Sequence, residues 1–182
     1  MSARAAAPRI RSSFGAYLLH ADARALHAVG RLRRPAVTRC MRAVTHLGDG
    51  PSWVFVGLTL FAVGGAASVH ARALAVAALA STAVAQVLKR SLRRSRPSKA
   101  AGFVALVDDP DAFSFPSGHT AAVVAVCIAL AGAGAWLGPL MLGLACLVAM
   151  SRVYLGAHYP LDVAAGAVIG VAMGLLARIV VG

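Results

Sequence analysis

Thr120 to Ser151 reads TAAVVAVCIALAGAGAWLGPLMLGLACLVAMS, 32 residues without a single Asp, Glu, Lys or Arg. A helix that crosses a bilayer takes about 20 predominantly apolar residues, within a working range of about 17–25. The stretch is too long for one such helix. Gly132, Gly134, Gly138 and Pro139 divide it, which predicts two spans, about Gly118 to Ala133 and about Leu140 to Val153. Downstream, Val163 to Ala177 is also uncharged, and a further span is expected over about Pro160 to Val180. Upstream, the uncharged runs Ser52 to His70 and Ala73 to Leu88 predict spans over Ser52 to Val69 and Ala73 to Leu88, with a turn at His70 to Arg72. The fold class that follows is an all-α integral membrane helical bundle with about five transmembrane helices.

Composition agrees. The 182 residues are 59% hydrophobic and 13% charged, where a soluble domain sits nearer half and a quarter. The net charge is +12, with six Asp and no Glu. In a soluble chain that balance suggests nucleic acid. Here a basic groove with interleaved aromatics is missing, and basic residues beside apolar spans follow the positive-inside rule. Cys40, Cys127 and Cys146 have neither CxxC spacing nor an even count, so neither a disulfide nor a zinc site is expected.

The first 47 residues differ in kind. Met1 to Ile10 is Ala/Arg-rich and reads as a mobile tail; no sustained apolar run follows Arg4, Arg9 and Arg11, which argues against a cleaved signal peptide. From Ser12, Phe14, Tyr17, Leu18, Ala21, Ala25, Ala28, Val29 and Leu32 recur at helical spacing with Asp22, Arg24 and Arg31 between them. That pattern is too charged to span and predicts an amphipathic helix at the interface. Pro35 ends it, a second basic helix covers Ala36 to Leu47, and Gly48-Asp49-Gly50-Pro51 makes a turn. The expected division is a basic interfacial segment, 1–47, and a transmembrane domain, 48–182.

The chemistry sits at the edges of the apolar runs. Lys89 and Arg96 lie seven apart before Pro97, which is expected to end the helix that carries them. Arginine's planar fork matches pairs of phosphate oxygens, and lysine adds a compact charge. Their neighbours Arg90, Arg93 and Arg94 read as a solvated basic cluster. Pro116-Ser117-Gly118-His119 opens a span: Ser117 suits the N-cap, Gly118 allows close approach to the backbone, and the free N–H groups of a helix start favour an anion. His119 is placed there to protonate a leaving oxygen. In Ser151 to Asp162, Arg152 offers another phosphate clamp, while His158 and Asp162 stand one turn apart if a helix runs through them. Asp162 would fix the tautomer of His158 and leave the other ring nitrogen free to attack.

Lys89-x6-Arg96-Pro97, Pro116-Ser117-Gly118-His119 and Ser151-Arg152-x5-His158-x3-Asp162, in this order and at the ends of apolar spans, resemble the three-part motif of the type 2 phosphatidic acid phosphatase superfamily, from Gly48 to the C-terminus. The resemblance implies that His158 is the nucleophile that forms a phosphohistidine, with Asp162 orienting it. His119 then protonates the leaving group and later activates water, while Lys89, Arg96, Ser117, Gly118 and Arg152 bind the phosphate. The fixed cations take the part of a metal, so neither a cofactor nor a catalytic metal is expected. Many relatives have six spans, and here an amphipathic helix stands where the first would be.

The expected activity is removal of a terminal phosphate from a lipid: phosphatidate, phosphatidylglycerophosphate, a polyprenyl phosphate or diphosphate, or a polyprenyl-phosphoryl sugar phosphate. Two other readings are a vanadate-dependent haloperoxidase, whose known examples are soluble and larger, and a membrane scaffold without activity. Phe103, Phe113 and Phe115 are expected near the entrance. Asp108, Asp109 and Asp111 read as a loop rather than a cation site. Gly166, Gly170 and Gly174 form a GxxxG face, expected to pack within the bundle or between two copies in a homodimer. Of the Lys and Arg residues, nine before Ser52, six from Lys89 to Lys99, and Arg152 share the motif side, against Arg72 and Arg178. This puts the site on the cytoplasmic face of the inner membrane, against the habit of many bacterial relatives.

Overall fold

A computed structural model describes residues 13–100, 103–108 and 111–182; the N-terminal tail with Arg4, Arg9 and Arg11, and the Asp109 part of the acidic loop, lie outside these. The described residues form eight helices: α1 (Ser13–Gly30), α2 (Pro35–His46), α3 (Gly50–Val63), α4 (Ala66–Leu92), the short α5 (Pro97–Ala100), α6 (Gly118–Leu130), α7 (Leu137–Tyr154) and α8 (Pro160–Val181). Proline opens α2, α3 and α8, where its missing N–H costs no helical bond.

Helices α4, α7 and α8 are each long and apolar enough to cross a membrane; α3 and α6 are shorter apolar helices of 14 and 13 residues. The surface carries the same message. Phe55, Leu58, Leu79, Trp136, Val168 and Ile179 are all exposed, and an apolar exterior of that extent is stable only against something apolar. The chain is an all-helical membrane protein.

Helix α6 is the central element, packed against α4, α7 and α8. Its Val123, Val126, Cys127 and Leu130 share a core with Trp53, Leu74, Ala145 and Val148. On its other side, α8 comes close because Gly166, Gly170 and Gly174 present no side chain. A Cβ on them would lie 2.5 Å from the Ser117 oxygen, 2.7 Å from that of Ala121 and 2.6 Å from that of Ala125. The glycine face is therefore filled by α6, and the homodimer seam expected as its alternative is not available to these residues.

Two boundaries differ from expectation. The turn falls at Gly64-Gly65, whose φ angles are +74° and +55°, and not at His70 to Arg72, which are helical. Glycine reaches that left-handed region without cost, and it sets α4 at 27 residues, about 40 Å. At its other end α4 stops at Leu92, with Arg93 in the left-handed conformation (φ 49°) and its N–H bonded to the Lys89 oxygen at 3.0 Å. Pro97 does not end α4. Lys89 sits in the last turn of α4, and Arg96 lies beyond its end.

Candidate active site

All three motif segments meet at one end of the bundle. The last turn of α4 brings Lys89, the start of α6 brings Ser117, Gly118 and His119, the last turn of α7 brings Arg152, the α7–α8 turn brings His158, and the first turn of α8 brings Asp162. Backbone contacts hold the segments together. The Ser117 N–H donates to the Asp162 carbonyl at 2.9 Å. Arg96 donates through Nη1 to the Ala157 oxygen at 2.9 Å, and a Cβ on Gly118 would lie 3.8 Å from Lys89 Nζ.

The α7–α8 turn is made by capping. Helix α8 begins at Pro160, so His158 precedes it and does not share a helical turn with Asp162, as the four-residue spacing suggested. Asp162 is the third helical residue and accepts the Tyr159 N–H at 2.9 Å. That bond satisfies a helix-start group and turns Asp162 Oδ2 toward His158 Nδ1, at 3.7 Å. This is longer than a hydrogen bond. His158 is fully buried, and neither of its ring nitrogens has a hydrogen-bond partner among the described residues. Burial pushes its pKa down to about 4; Arg152 and Arg96 act in the same direction, against Asp162. The imidazole is neutral at physiological pH, the form that carries a lone pair.

At this end of the bundle, Lys89, Arg96 and Arg152 are only 4%, 5% and 2% exposed. Burying cations in this way is costly without partners. Lys89 pairs with Asp111, Arg96 donates through Nε to the Asp111 carbonyl at 2.8 Å, and Arg152 donates to Thr45 Oγ1 at 2.8 Å. Burial would raise the Asp111 carboxyl, but the hydrogen bond and charge of Lys89 outweigh it and hold it below the ordinary range. Asp108 is exposed. Ser117 caps α6 as its sequence implied, accepting the Thr120 N–H at 3.4 Å.

Several residues that matter here carry no sequence signature. Arg94 is not a solvated charge like Arg90 and Arg93. Its guanidinium donates to Asp162 at 2.7 Å and to Asp22 at 2.6 Å, and lies over the Tyr159 ring. Asp22, on α1, is buried and also accepts the Leu161 N–H at 2.9 Å. Thr45, on α2, steadies Arg152. Asp49, in the α2–α3 turn, bonds His119 Nε2 at 2.8 Å. Phe103 does not line an entrance: Arg33 stacks on its ring, and His27 meets it edge-on. It fastens the long loop to the N-terminal helices.

A cavity of about 810 Å³ opens from this end. His119, Asp49 and Gly118 line its near end, and it continues between α3 and α4 past Trp53 and Leu79 as far as Arg72. From Gln86 to Arg72 that is about 21 Å along α4, and most of the wall is apolar.

A family model described as the PAP2 superfamily matches residues 70–182. Decaprenylphosphoryl-5-phosphoribose phosphatase of Mycobacterium tuberculosis is 33% identical over 148 residues, 79% of this chain and 80% of that protein. Among solved structures, a transmembrane PAP2-type phosphatidylglycerolphosphate phosphatase from Bacillus subtilis superposes with a TM-score of 0.78 at 26% identity, covering 93% of this chain and 87% of that one. LpxE of Aquifex aeolicus gives 0.77 at 26% identity, covering 85% and 92%.

Proposed function

The chain belongs to the PAP2 superfamily, and from that membership we propose that it is a membrane lipid phosphatase acting through a phosphohistidine on His158. The observation that carries the reading is a neutral, fully buried imidazole beside Arg96 and Arg152 with Asp162 behind it. Asp162 faces Nδ1, so Nε2 attacks phosphorus. The P–O bond to the leaving alcohol breaks, its electron pair leaves with the oxygen, and His119 supplies the proton. His119, now neutral, takes a proton from a water that attacks phosphorus. The P–N bond breaks and its pair returns to His158. Lys89, Arg96 and Arg152, with the Ser117 and Gly118 helix start, hold the phosphoryl oxygens throughout. The charge a metal would neutralise is met by these cations, and the reaction needs no divalent ion.

Among lipid phosphates, a polyprenyl-phosphoryl sugar phosphate fits best. The M. tuberculosis relative is named for such a substrate, and the apolar cavity beyond His119 gives a long tail a place to lie. Helices α3 and α6 cross with α4, α7 and α8 to make five spans, residues 48–182 form the phosphatase domain, and the described part of the N-terminal segment, 13–47, lies at the interface of the inner membrane. The test is phosphate release from a panel of lipid phosphates. Purified protein should release phosphate equally with and without EDTA. A radiolabelled substrate should leave an acid-labile, base-stable phosphoprotein that His158→Ala abolishes. Activity retained in His158→Ala would refute the assignment.

A further inference from the structure

We propose that Asp49 is a positioning residue for His119, holding the general acid by one ring nitrogen so that the other meets the leaving oxygen; this rests on the acid–base role read for His119 above. Asp49 occupies the N-cap of α3, where an aspartate ordinarily turns its carboxylate onto the first free N–H groups of its own helix. It makes no such bond. Oδ1 goes to His119 Nε2 at 2.8 Å, and Oδ2 goes to His46 Nδ1 at 2.8 Å. The carboxylate gives up its local partner for a ring 70 residues away.

Packing fixes the arrangement. A Cβ on the preceding Gly48 would lie 2.7 Å from Val148 Cγ1 and 3.6 Å from His119 Cδ2, so the turn is pressed against α7 and the ring itself. Asp49 is ionised. Burial would raise its carboxyl, but the hydrogen bonds from His46 and His119 outweigh that and bring it below the ordinary range. A fixed carboxylate on one nitrogen sets the tautomer of an imidazole and stabilises its cation. In the cycle, protonated His119 gives its proton to the departing alkoxide while Nε2–H stays on Asp49. The neutral ring then recovers a proton from water, and Asp49 never takes one. Both residues line the cavity between α3 and α4, so the acid stands beside the space that would take the departing alcohol and its tail.

The test compares kcat/KM for a lipid alkyl phosphate and for p-nitrophenyl phosphate, because kcat/KM includes only steps up to departure of the leaving group. An alkoxide needs the proton and nitrophenolate does not. Asp49→Asn should lower kcat/KM about 10²-fold for the alkyl phosphate and less than about threefold for the aryl one, with partial recovery in Asp49→Glu. His119→Ala should show the same selectivity, more steeply. Each comparison is a ratio on one preparation, so it does not depend on how much protein folds. Equal losses on both substrates in Asp49→Asn, or no loss on either, would overturn the inference while His119→Ala remained selective. A non-selective His119→Ala would instead remove the underlying reading of His119.

Discussion

At the scale of single residues, the site depends on charges and rings held in unusual environments. His158 carries its neutral form into the buried state, with its pKa lowered to about 4 from an ordinary 6.5. Between those values the unfolded chain binds a proton that the folded chain refuses, so stability falls as pH decreases through this window. From pH 7 to pH 5 the loss from this one ring is on the order of 2 kcal/mol. Thermal unfolding in detergent should therefore depend on pH less steeply in His158→Gln than in the natural protein over that range. Arg94 makes a second prediction. Its removal leaves the buried carboxylates of Asp22 and Asp162 without their common partner, a loss of about 3–5 kcal/mol. Arg94→Ala should lower both the unfolding temperature and phosphate release, and Arg94→Lys, which lacks the fork, should fall between. The motif residues were legible in the sequence because their spacing is local. Arg94, Asp22, Thr45 and Asp49 were not, because each acts on a residue far along the chain, and nothing in KRSLRRSRP separates the one arginine that turns inward from those that face solvent.

At the scale of elements, the contact between α6 and α8 sets where the motifs meet. Three glycines on α8 lie against three successive turns of α6, but they differ in what is above them. Gly166 faces the Ser117 carbonyl, at the start of α6, and Gly174 faces Ala125 and Ile128 in the core. Adding a methyl group to either forces backbone apart, and overpacking of this kind costs about 1–3 kcal/mol. Gly166→Ala and Gly174→Ala should thus lower the unfolding temperature by similar amounts, while at a permissive temperature only Gly166→Ala should lose activity, by roughly tenfold or more, because it displaces Ser117 and Gly118 from His158 and Asp162. The GxxxG spacing announced close packing but could not name the partner, since small residues serve an internal seam and a dimer equally. Helix ends show the same limit. The existence of each apolar helix followed from its lack of charge. The position of the α3–α4 turn did not, because charge at His70 to Arg72 looks like a boundary, while the conformational freedom of Gly64-Gly65 decides it.

At the scale of the whole molecule, one end of the bundle collects both the chemistry and the positive charge. The N-terminal helices are fastened to that end: Arg33 Nε donates to the Tyr154 carbonyl at 3.0 Å, the Arg34 N–H donates to the Tyr154 hydroxyl at 2.8 Å, and Thr45 meets Arg152. They therefore share a membrane face with the site, and their arginines count toward the same side in the positive-inside rule. Moving that side outward would carry thirteen of the fifteen Lys and Arg among the described residues across the membrane with it. Cys40 provides the report. It is a free, exposed thiol on α2, whereas Cys127 is buried and Cys146 lies within an apolar helix. With Cys146 replaced by Ala, a membrane-impermeant thiol reagent should label Cys40 only after cells are permeabilised. Labelling in intact cells would put the site on the outer face, and its phosphorylated lipid would then have to be presented from outside.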